Sequence, residues 1–126
     1  MSAETDFQAL LDGHAALTDL VDDRIALAAV ADGAGYPCVV YLAQHDPTFG
    51  VGGTVLADLV TFTVQCWADD EGGGAVGAAA VAAAVRGAIA TAPGARSCAV
   101  VGEAPAYDEQ TGLDGVLLTV EWWASV

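Results

Sequence analysis

An enzyme or metal site in this 126-residue sequence would draw first on its cysteines and histidines, Cys38, Cys66, Cys98, His14 and His45. Their spacing argues against both uses. No two cysteines stand in a C-x-x-C pattern, and an odd number of them offers neither a zinc knuckle nor a closed disulfide framework. His14 has no second His or Cys at i+4, so a packed or partly exposed histidine is a stronger reading than a ligand. All three cysteines lie in or beside apolar runs, where a free cysteine behaves as a small buried hydrophobe. Buried, reduced thiols without metal are expected. Gly72-Gly73-Gly74 has the composition of a phosphate-cradling loop, but no Lys-Ser or Lys-Thr follows, and Asp69, Asp70 and Glu71 precede it, so nucleotide binding is a poor fit. With no Ser/His/Asp or Cys/His set visible, no catalytic residue and no cofactor is expected.

Charge narrows the partners further. Arg24, Arg86 and Arg96 are the only fixed cations against 17 acidic residues, a formal net charge of −14. Neutralising nucleic-acid phosphates, or adhering to an anionic membrane, needs clustered Lys or Arg, and this chain has none. Met1 to Phe7 has no basic n-region and no long apolar run follows it, so cytosolic synthesis is expected. The length suits one domain covering 1–126.

The elements organise around Leu59 to Trp67, where Val60, Phe62, Val64 and Cys66 alternate with Thr61, Thr63 and Gln65. This is the period-two pattern of a half-buried strand. Val116 to Trp123 repeats it with Val116, Leu118, Val120 and Trp122 and is the natural partner. Phe62, Val64, Trp67, Leu118, Val120 and Trp122 are the residues expected to carry the fold. Thr5-Asp6-Phe7-Gln8 reads as a capping box. It opens a helix whose stripe is Phe7, Leu10, Leu11, His14, Leu17 and Val21, ending near Val21 to Asp23. Arg24 to Val30 is an edge strand or extended arm, followed by a turn at Asp32 to Gly35. Tyr36 to Gln44 is a firmer strand, with Pro37 confined to its start.

His45 to Gly53 holds three glycines and is too long for a tight hairpin turn, so a loop is expected. Its Phe49 and Val51 either tuck against the domain or meet a partner. A helix runs from about Ala75 to Ala92 and is stopped by Pro93-Gly94. Its stripe is Ala78, Val81, Val85 and Ile89; opposite lie Ala80, Ala83, Ala84, Gly87 and Ala90, where a surface helix ordinarily carries Glu and Lys. Either coding bias left an inert exposed face, or a second body packs closely on it. A central Arg86 costs about 2.5–3.5 kcal/mol on insertion scales, which argues against a membrane span. Ser97 to Gly102 is a short strand, and Glu103 to Asp114 a connection with turn chemistry at Tyr107 to Gly112. Composition and periodicity alone give a small acidic α+β domain.

Asp23-Arg24-Ile25 follows the first helix, and Tyr36-Pro37-Cys38-Val39-Val40-Tyr41 forms the next strand. Val64-Gln65-Cys66-Trp67-Ala68, Tyr107-Asp108 with Thr111-Gly112, and Leu118-Thr119-Val120-Glu121-Trp122-Trp123 come after them in order. This order and spacing, over nearly the whole chain, resembles the tail completion or tail terminator proteins of long-tailed phages and gene transfer agents. The helix after the central strand departs from that pattern in its scarcity of basic residues, Arg86 being its only one. The resemblance implies an α+β protomer with two helices packed on a mainly antiparallel sheet. It further implies a hexameric ring on the head-proximal end of the tail, assembled in the host bacterial cytoplasm. Its partners would be the major tail tube protein and a head completion or connector protein, with DNA passing the lumen unbound and no membrane involved. Such a protein is structural. For ring and tube contacts the expected residues are Asp46, Pro47, Phe49 and Val51 on the loop, and Ala83 and Gly87 on the bare helix face. The rival readings are an enzyme or metal protein, another neck or tail part such as a head completion protein or tube subunit, and an unrelated bacterial α+β module.

Overall fold

Phe62 stands opposite Val120, Val64 opposite Leu118 and Val60 opposite Trp122, and all six side chains are buried. They belong to β3 (Val55–Ala68) and β5 (Leu113–Ser125), the antiparallel pair at the middle of the sheet. These contacts come from a computed structural model, described for residues 3–27, 37–53, 55–69, 73–91 and 97–125. The other elements are α1 (Ala3–Asp12), α2 (Ala15–Val21), β1 (Ile25–Leu27), β2 (Cys38–Phe49), α3 (Gly74–Ala90) and β4 (Ser97–Asp108). The five strands lie in the order β1-β2-β3-β5-β4, antiparallel except for the parallel pair of β1 and β2. The protein is thus α+β, with helices on one face of a mainly antiparallel sheet.

An aromatic cluster locks α1 to that face. The Phe7 ring stacks on Phe62 at 4.1 Å and 8°, and meets Tyr41 and Trp122 edge-on at 5.1 and 5.7 Å. Offset stacks and edge-to-face pairs are the favoured aromatic geometries. Val81, Val85 and Ile89 of α3 complete the core beside Leu17 and Val21 of α2.

Several expectations change. The first helix is divided in two, so three helices pack on the sheet. The chain breaks at Gly13, a poor helix former, and His14 is extended (φ −99°, ψ 103°), its carbonyl accepting from Leu17 and Thr18 to begin α2. Gln8 does not close a capping box. Its amide donates to Asp12 and to the Ile25 carbonyl (3.0 Å), while Tyr41 donates to its Oε1 at 2.6 Å. Strands β2, β3 and β4 all outrun their apolar segments, because polar residues such as Gln44 and Glu103 find ladder partners in Thr61 and Leu118. The Tyr107 to Gly112 segment is a hairpin turn: Gly112 N–H donates to Asp108 O at 2.8 Å, with Gly112 at φ +71°. The turn at Asp32 to Gly35, the acidic residues Asp70 and Glu71, and the Pro93-Gly94 stop lie outside the described residues.

Candidate assembly surfaces

Desolvation pushes the buried Cys38 thiol up to about 11 and Cys66 to about 12, so both are protonated at neutral pH. Cys98 is partly exposed, and its thiol donates to the Ile89 carbonyl at 4.0 Å. Among the described residues, no group of three His, Cys, Asp or Glu side chains is arranged to hold a metal ion.

His45 acts as a strap. Its Nδ1 meets Asp58 Oδ2 on the neighbouring strand and its Nε2 meets Glu4 Oε1 in the first turn of α1. The Asp58 hydrogen bond is the largest cause of a raised His45 pKa; desolvation opposes it and the Glu4 carboxylate adds to it. A protonated imidazole, donating from both nitrogens, suits this position between two carboxylates. Asp58 Oδ1 is buried without a hydrogen-bond partner.

The predicted loop at 45–53 is mostly strand. Asp46, Pro47 and Phe49 lie on β2, opposite Leu59, Asp58 and Val55, and only Val51 falls on the turn. Leu27, the last described residue of β1, pairs with Tyr41; among the described residues no strand flanks the outer side of β2 at Pro47, where a proline then costs no ladder bond. The turn closes with Gly53 N–H donating to Gly50 O at 3.2 Å. At this tip Phe49 is 61% and Val51 104% exposed.

The opposite edge, β4, is broken by a bulge between Val100 and Gly102 and by Pro105. Bulges and prolines blunt an edge against adding further strands. The β4 edge therefore favours side-chain contacts over strand pairing.

On α3, Ala83 is exposed with Val76 (80%), Ala79, Ala80 and Ala90. Gly87 is half-buried beside the break between α1 and α2 of the same chain: a Cβ there would meet His14 Nε2 at 3.3 Å. Between α3 and β4 runs a groove of about 230 Å³ lined by Ala79, Ala82, Ala104, Pro105 and Val116, with Arg86 and Glu103 paired at its rim. No local sequence pattern could have shown this groove, since its walls come from three elements.

The sheet face away from the helices is nearly free of charge. By strand register it carries Leu42, Thr61, Thr63, Gln65, Trp67, Leu117, Thr119 and Trp123. Asp46, Asp108 and Glu121 are its acids among the described strand residues. Trp67 belongs here, half-buried, and not to the helix-covered core with Phe62, Val64, Leu118, Val120 and Trp122. No helix among the described residues is long and apolar enough to cross a membrane.

The model of a family described as tail completion protein gp17 matches residues 5–125. A chain in the solved virion of a native gene transfer agent particle shares the fold, with a TM-score of 0.81 at 17% identity. That alignment covers 99% of this chain and 96% of the other. No curated protein matches.

Proposed function

Because the chain belongs to the tail completion protein gp17 family, a family of structural virion tail components, we propose that it closes into a hexameric ring that ends the tail tube and joins it to the head. The family match across residues 5–125 carries this reading. A ring that ends a helical tube binds the last tube ring through one face and lacks the matching face for another, since a heterologous contact that does not close continues indefinitely. The bulge and proline that blunt the β4 edge support side-chain closure over continued sheet growth. The exposed Phe49 and Val51 tip, with Asp46 and Pro47 behind it, and the Ala83 surface of α3 are the contacts proposed for neighbouring subunits and the tube.

The high negative charge suits a DNA conduit, because an acidic lumen repels the phosphate backbone and lets DNA pass unbound. Removing the gene tests the function. Unjoined heads and tails, with many tails overlong, are expected, and added protein should restore joining. Normal-length tails on filled heads would overturn the reading. Electron microscopy of the purified protein separates a terminator, which makes single rings, from a tube subunit, which makes long tubes.

A further inference from the structure

The β2–β3 hairpin tip and the α3–β4 groove are separate patches of one protomer: the tip joins the second and third strands of the sheet order, while β4, which walls the groove, is the last. One is convex and apolar, the other concave and apolar. From Pro47 to Gly53 the tip carries no charged residue, and Phe49 and Val51 project from it. The groove walls are Ala79, Ala82, Ala104, Pro105 and Val116, and its two charges, Arg86 and Glu103, neutralise each other.

We propose that this groove seats the hairpin tip of a second copy of the chain, with Phe49 as the inserted side chain. The inference rests on the ring reading and names its contact. Electrostatics selects the occupant. Two copies at −14 each repel over most of their surfaces, and they approach at least cost where neither presents unpaired acid. Arg86 is the one charged residue of α3, and Glu103 already neutralises it, so the groove offers the uncharged tip no net charge. A tip and a seat on different patches of the protomer make a head-to-tail contact, which generates rings when the rotation closes. Small walls leave room for an aromatic ring; larger residues at Ala79 or Ala82 would fill the seat.

The test uses two full-length variants, Phe49→Asp to remove the tip and Ala79→Glu to fill the groove. Both positions are exposed, so circular dichroism and melting temperature should match the parent chain. By light scattering and electron microscopy, the parent should form rings and each variant alone should stay monomeric. Mixed together they retain one intact tip and one intact groove, and should form a 1:1 dimer that grows no further. Rings from both variants would overturn the seat while leaving the ring reading in place. A parent chain that stays monomeric at all concentrations would overturn both. Variants that are monomeric alone and fail to pair when mixed would overturn the tip-to-groove assignment.

Discussion

The indole of Trp67 occupies the space in which a Gly115 side chain would begin: a Cβ on Gly115 would stand 2.5 Å from Trp67 Cε3. The two residues face each other across β3 and β5. An aromatic ring laid against a cross-strand glycine covers backbone that would otherwise be exposed. Gly115→Ala should therefore destabilise the protein by about 1–3 kcal/mol through overpacking. In denaturant melts the double variant with Trp67→Ala should lose less than the sum of the two single changes. Strict additivity would show that the ring moves aside freely.

Phe7 carries the docking of α1 through contacts with Phe62, Tyr41 and Trp122. Phe7→Ala should cost about 3–5 kcal/mol, as aromatic truncations in a packed core do. Chemical denaturation measures this, and a loss well below that range would mean that α1 contributes little to the cooperative unit.

The His45 strap predicts a pH dependence of defined sign. Its folded pKa is raised above the ordinary value by Asp58 and Glu4, so the protonated form is the one the fold favours. The contribution is fully present below the unfolded value of about 6.5 and is lost as pH rises through the higher folded value. Denaturation midpoints should fall over that window in the parent chain. His45→Gln should be flatter there, because other titrations are common to both proteins. Identical slopes would show that the strap adds nothing to stability.

Cys38 and Cys66, with thiols raised to about 11 and about 12, should resist alkylation in the native protein at neutral pH. Reaction proceeds through the thiolate, and both side chains are buried. Mass spectrometry after brief labelling should find modification confined to the partly exposed Cys98. Rapid modification of all three would place the other two at the surface.

The acidic charge predicts no retention of DNA by the purified protein even at low salt, where electrostatic binding is strongest. A gel-shift titration checks this. Clear retardation of duplex DNA would contradict the proposed passive lumen.

Local sequence determined the centre of this fold. Alternation in Leu59 to Trp67 and Val116 to Trp123 specified two half-buried strands, since a period of two places one set of side chains on one face. Likewise Asp108 and Gly112 were legible as a turn because their requirements are local. Tertiary structure decided what depends on residues far apart in the chain. Trp67 is in phase with Thr61, Thr63 and Gln65, so alternation already assigns it to the open face although its apolar character reads as core; what the register decided is that Gly115 stands opposite it. The predicted loop became strand because Asp46 and Pro47 gained Leu59 and Asp58 as partners, and pairing between strands is invisible to periodicity within either one. Gly87 met His14, and His45 met Glu4 and Asp58, only once helix packing brought them together. A side chain's periodicity records which way it must face; what it faces is set by long-range packing.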